Sequence, residues 1–197
     1  KCLSVLKLLR IARSVHSCIE KQIDFPLLKS VSSRFDPLPS LFKELNRCIN
    51  DEGEIKENAS PELKQALRDV VSAKQKLESK IGKLLSGDTY KEALQDSYHT
   101  EREGRLVIPV KSDKRSQVDG IVHDSSGSGQ TLYIEPSSIV PLNNQLKINR
   151  LAVDREKREI LQSLTRQVLD SGEIISTSMG VLVELDFIHA RARLAKM

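Results

Sequence analysis

Apolar positions recur along most of this chain at helical spacing, and one short stretch breaks that rhythm. From Leu3 to about Lys21, Leu8, Ala12, Val15 and Ile19 share one face while Arg10, Arg13 and Lys21 fall elsewhere, which predicts a helix. Between Asp24 and Pro39 the prolines Pro26, Pro37 and Pro39 stand among serines. Proline removes a backbone donor and restricts the residue before it, so this interval predicts a loop with a single turn inside. Ser40 to Ile49 returns to helix through Leu41, Leu45 and Cys48 or Ile49, and Asn50-Asp51-Glu52-Gly53 breaks it.

Ser60-Pro61-Glu62 is a helix start, with a capping hydroxyl, a proline suited to the first helical position and an acid that complements the dipole. Leu63, Leu67, Val70, Lys74, Leu77, Ile81 and Leu84 then alternate steps of four and three, a heptad seam interrupted by one lysine. A helix of about seven turns, ~38 Å long, follows, and it needs a partner along its length. Ser86-Gly87-Asp88 ends it, and Thr89 to Gln95 predicts a short helix before a polar segment. After Pro136, Leu142 to about Leu169 is a charged helix with the stripe Leu146, Val153, Ile160 and Leu164, closed by Ser171-Gly172. Ile174, Ser178, Val181, Leu185, Ile188, Ala192 and Ala195 repeat the four-three spacing to the end.

The exception is Gly104 to Pro136. Leu106, Ile108 and Val110 alternate with Val107, Pro109 and Lys111, the period of two of a half-buried strand, and Pro109 predicts that this strand is an edge. Further strands are predicted from about Val118 to His123 and from Thr131 to Glu135, joined through Ser125-Ser126-Gly127-Ser128-Gly129. The expected product is a small meander, too small to stand without helices against it. One long helix leads to these strands and another leads back, so the fold expected is mainly α: long antiparallel helices carrying a small antiparallel β element at the tip.

Composition adds limits. With 39% hydrophobic and 29% charged residues the chain is of ordinary globular make-up, and no apolar run is long enough to predict a membrane span. It begins at Lys1 and stops at Met197 directly after a helical pattern, as an excised piece of a longer protein would. Cys2, Cys18 and Cys48 show no CxxC or Cys/His pairing, which argues against a disulfide framework or a zinc site and for a reducing compartment. His16, His99, His123 and His189 are scattered, and surface or packed histidines are favoured over a metal or general-base role. The serine-glycine loop lacks the GxxxxGK[ST] pattern, so a tight hairpin is favoured over a phosphate cradle. No catalytic or metal-binding residue is assigned.

Net charge is only +4, so nucleic-acid affinity would need a local patch. Arg102, Arg105, Lys111, Lys114 and Arg115 gather at the base and first turn of the β element, where Lys111 to Arg115 is locally positive. On the returning helix Lys147, Arg150, Arg155, Lys157 and Arg158 outnumber Asp154, Glu156 and Glu159, although a solvated face with internal ion pairs is the favoured reading there. For the KSDKR turn, phosphate contact and plain solubility are evenly matched readings; it has no aromatic platform, so binding there would be to backbone phosphate and sensitive to salt.

GRLVIPVKSDKR, GIVHDSSGSGQTLYIEP and VPLNNQLKINRLAVDREKREIL together resemble the signature of the type-two branch of the MutS family, the anti-recombination paralogues of the mismatch-repair sensors. RCINDEGEIKENASPELKQALRDV and LVELDFIHARARLAKM are similar to the same family's core and to the helix before its ATPase domain. The resemblance implies a helical core segment at 1–60, an outgoing lever helix and short helix at 61–101, a β clamp at 102–140, and a returning lever and core helix at 141–197. It implies a non-catalytic DNA clamp and lever. Lys111, Lys114 and Arg115, with Arg102 and Arg105, would contact phosphates, and Lys147, Arg150, Arg155 and Arg158 would form a secondary basic face.

For the whole protein the resemblance implies a homodimeric ATPase using ATP and Mg, with a C-terminal Smr nuclease domain, that binds branched DNA and suppresses recombination. No cofactor is expected in this segment. A cytoplasmic, nucleoid-associated place in a bacterium is implied, or an organellar one in a eukaryote. A dimerisation or structural module, and contact with ribosomal RNA in the rescue of collided ribosomes, stand as alternatives. No membrane partner is expected.

Overall fold

The computed structural model describes residues 1–21 and 25–195; Asp24, where the predicted loop begins, lies outside them. The chain is mainly α with a small antiparallel sheet. Its order is α1 (Cys2–Glu20), α2 (Pro26–Ser32), α3 (Pro39–Cys48), α4 (Pro61–Ser86), β1 (Thr100–Arg102), β2 (Arg105–Lys111), β3 (Gly120–Ser125), β4 (Thr131–Pro136), α5 (Val140–Asp170) and α6 (Gly172–Leu194). Two compact units result, one formed by Lys1–Pro61 with Lys157–Met197 and the other by Glu62–Glu156.

The first unit is helical. Leu6, Leu9 and Ala12 are the buried positions of α1, so its inward face is turned from the predicted Leu8, Ala12, Val15 and Ile19 line. Leu41, Leu45 and Cys48 bury α3 as the spacing predicts. Where a loop was expected, α2 forms. Pro26 opens it at a position whose N–H would be unpaired anyway, and Val31 packs on the cluster of Ala12, Phe35 and Val181. Leu182 and Leu185 join that cluster from α6, so this part of the α6 repeat faces α1 and the segment after α2.

The second unit sets the sheet on helices. Leu77 and Ile81 of α4, Leu106, Ile108 and Val110 of β2, Ile134 of β4, and Ile139 and Leu146 around α5 form one apolar cluster. The predicted α4 seam is corrected at one step. Ala73 is buried there, whereas Lys74 points out and meets Glu78 at 3.8 Å. A helix of 3.6 residues per turn drifts against a heptad, and the drift brings the small neighbour under the sheet. On α5, Leu146, Val153 and Leu164 are buried as predicted.

Strand order is β1-β2-β4-β3, which corrects the expected meander, because β4 lies between β2 and β3. β1 was not predicted. It joins β2 through Glu103 and Gly104, both at positive φ (50° and 77°), the backbone of a two-residue hairpin turn. β2 is therefore internal, not an edge. Along its outer side β1 pairs with Arg105 to Val107, and the chain near Leu94 pairs with Val110, Gln95 N–H donating to the Pro109 carbonyl. Pro109, with no N–H to give, falls between these two stretches. The same pairing limits the predicted helix at Thr89 to a short 3-10 turn, Asp88–Tyr90.

β2 is also buried on both faces, with Val107 and Val110 alike at 0% exposure. β3 starts at Gly120, since Val118 is an anchor of the apolar cluster. A Cβ on Gly120 would come within 2.3 Å of the Glu135 carbonyl oxygen, so only glycine fits that crossing. The loop after β3 closes as the predicted hairpin, with Ser126 N–H donating to the Thr131 carbonyl and Gly129 at φ 70°.

Candidate nucleic-acid interface

The sheet unit contains one fully buried carboxylate, Glu135, and its partners decide what the nearby cations are free to do. Arg105 donates to it from Nη1 at 2.6 Å, His123 Nε2 lies at 2.7 Å, and Asn143 Nδ2 donates at 2.8 Å. With no water to solvate it, such a carboxylate persists only where donors surround it. His123 reaches it because β3 carries a bulge between Val122 and Asp124, which re-aims the intervening side chain. Its Nε2 must carry the hydrogen to serve Glu135. Asn143 also exchanges two bonds with the Leu106 backbone, fixing the start of α5 to β2.

The sequence-predicted cations fall into two groups. Arg105 is committed to Glu135 and, through Nη2, to Asn144. Arg102 pairs with Asp124 at 2.9 Å and lies 4.1 Å over the Tyr133 ring. Arg115 donates from two nitrogens to the carbonyls of Val118 and Gly120, latching the Ser112–Gln117 3-10 segment to the start of β3. That leaves three of its five N–H donors. Arg150 pairs with Glu101 at 3.2 Å, and Arg155 lies 3.9 Å from Glu156; Arg158 also has an interaction.

The lysines are less engaged. Lys111 donates to the Glu92 carbonyl at 3.2 Å. Lys114 and the exposed Lys147 have no hydrogen-bond or ion-pair partner among the described residues. The arrangement supplies loosely held ammonium groups around a sheet whose segments arginines tie together. Such groups suit an anion whose position varies, as a phosphate backbone's does.

Sequence reasoning missed the role of Glu135 and the row Lys76, Lys80 and Lys83, all exposed on α4. The four-three spacing beside the apolar seam was the available signal for the row. Glu135 gave none, since its partners lie 8, 12 and 30 residues away. Among the described residues no group of three or more His, Cys, Asp or Glu side chains is placed to hold a metal, and no helix is long and apolar enough to cross a membrane.

No family model matches the chain. It is similar to proteins named endonuclease MutS2: 42% identical over 174 residues in Pelotomaculum thermopropionicum, covering 88% of this chain and 22% of the relative. In Brevibacillus brevis the figures are 40% over 172 residues, 87% and 22%. In Clostridioides difficile they are 36% over 186 residues, 94% and 24%. The chain spans between a fifth and a quarter of the length of these relatives.

Proposed function

We propose that this chain, which belongs to the MutS2-type family over most of its own length, is a nucleic-acid clamp and lever that makes no bond itself. In this reading the sheet at 102–140 grips DNA by its backbone. The helices at 61–101 and from 141 on transmit its position, and residues 1–60 belong to a helical core. The whole protein binds branched DNA and suppresses recombination. Its nucleotide hydrolysis, with ATP and Mg, and its endonuclease chemistry are carried by residues outside those assigned here.

The observation that carries the reading is the division of cations in the sheet unit. Arg105 is committed to Glu135 and Arg115 gives two of its donors to the fold, while Lys111 and Lys114 remain near the surface at its first turn. Lysine is a point charge on a flexible stem and meets phosphates without demanding a base. Arg115 keeps free donors beside them. Neutralising Lys111 and Lys114 to Gln, with Arg115 left in place as the latch, should reduce the salt slope of junction-DNA binding by about 1.8, at ~0.9 per phosphate contact. An unchanged slope removes both lysines from the role. Ribosomal RNA offers the same phosphates, and competition between junction DNA and ribosomes separates the two targets.

A structural reading rests on a different feature. Met179, Val183 and Phe187 of α6 are 55%, 65% and 63% exposed along one helical line, as a surface for a second copy would be. Sedimentation showing a concentration-dependent dimer indifferent to DNA would favour it.

A further inference from the structure

Lys76, Lys80 and Lys83 stand on α4 at steps of four and three, all exposed, their ammonium groups with no hydrogen-bond or ion-pair partner among the described residues. Some charged side chains nearby are paired within a turn, Lys74 with Glu78, Lys91 with Asp88 and Asp69 with Gln65, and the row stands outside these pairs. No acid occupies the row itself. Its Cα positions span about 10.5 Å at ~1.5 Å per residue, the axial length of about three phosphates on one strand of a duplex.

Lys76 also lines a cleft of about 390 Å³ within the sheet unit, beside Ser72 of α4 and Gln145 and Asn149 of α5. The cleft wall carries neutral amides and a hydroxyl, with Asp69 as its one carboxylate, seven residues before Lys76. At the other end, Lys83 is in the last turns of α4, and nine residues later Glu92 offers the carbonyl that holds the Lys111 ammonium. Along the chain the row thus leads into the segment that positions the first turn of the sheet.

We propose that Lys76, Lys80 and Lys83 form a second phosphodiester-binding row, so that a duplex gripped at the sheet is also held along α4. This rests on the clamp reading above and adds to it a contact surface on the helix. The ligand is the backbone of a double helix, recognised by charge and spacing. Deoxyribose and ribose duplexes share that chemistry.

The test compares the salt dependence of binding to a DNA duplex and to an RNA duplex of equal length by the purified protein and three variants. Lys76→Gln/Lys80→Gln/Lys83→Gln should lower the slope by about 2 to 3 and weaken binding at least tenfold at moderate salt. Lys76→Arg/Lys80→Arg/Lys83→Arg should restore both. Lys111→Gln/Lys114→Gln reports on the sheet separately. A loss on either duplex supports the row and identifies its source of phosphate. If the Gln triple keeps the parent slope while the sheet variant loses it, the row is overturned and the clamp reading stands. If neither variant changes the slope, both fall. A Gln triple that loses affinity without Arg rescue also overturns the row, because the effect is then not one of charge.

Discussion

In the Glu62–Glu156 unit a carboxylate with no solvent exposure is a hub for Arg105, His123 and Asn143. Among the described residues of the helical unit the buried polar side chains are Ser32, bonded to His16, and Ser178, and ion pairs such as Arg10 with Asp51 and Arg34 with Glu184 lie at the surface. The contrast follows from geometry. Helices satisfy their own backbones and need from their neighbours only apolar faces. A four-stranded sheet with a bulge and a helix start docked against it leaves donors that must converge on something. Stability in one unit should therefore depend on a specific polar hub, and in the other on packed volume.

The largest expected effect tests the hub. Glu135→Ala leaves the Arg105 guanidinium without its buried counter-charge and should cost about 3–5 kcal/mol. Thermal or urea unfolding, with hydrogen exchange resolving the two units, should show the loss concentrated in the sheet unit. A loss under about 1 kcal/mol would end the hub argument.

Leu45→Ala is the matched change in the helical unit, where the side chain has no exposure. Removal of its buried volume should cost about 2–4 kcal/mol. Exchange protection should fall in α1 and α3, with the sheet amides retained. Equal loss in both units would show that they do not open separately.

Glu103→Asn comes next, and it should stabilise. Glu103 sits at φ 50° in the β1–β2 turn, where Asn before Gly104 is better tolerated. A gain of about 0.5–1 kcal/mol is expected, read from the urea midpoint at constant m. Any loss would mean that the Glu103 side chain does something its backbone strain does not reveal.

The smallest effect belongs to the surface pairing of the helical unit. The Arg47 hydrogen bond holds the Glu44 carboxyl below its ordinary value, with the Arg47 charge adding to this. A depressed folded-state pKa gives stability that is full above the unfolded value and lost as pH falls through the folded one. Glu44→Gln should thus lower Tm slightly at pH 7, and the two proteins should converge as pH drops below the usual carboxylate range. A constant difference across that range would remove the ion pair as the cause.

Local periodicity carried much of the fold. The faces of α3 and α5, the length of α4 and the positions of β2 and β4 all follow from where apolar residues recur, because burial of a stripe is an energy that neighbours in sequence set together. α2 escaped because its helix rests on Val31 meeting Phe35 and Val181, a contact that its prolines do not announce. β1 escaped because three residues carry no period, and its existence depends on the two left-handed residues of the turn that follows.

By itself the sequence determined that helices bracket a short β region and that lysines and arginines crowd its first turn. Only the tertiary structure decided that β4 lies between β2 and β3, and which of those cations keep their charge for a partner. Arg105 looks like its basic neighbours until a glutamate 30 residues away captures it. Such choices rest on hydrogen bonds between distant residues inside a low-dielectric interior, and local propensity holds no record of them.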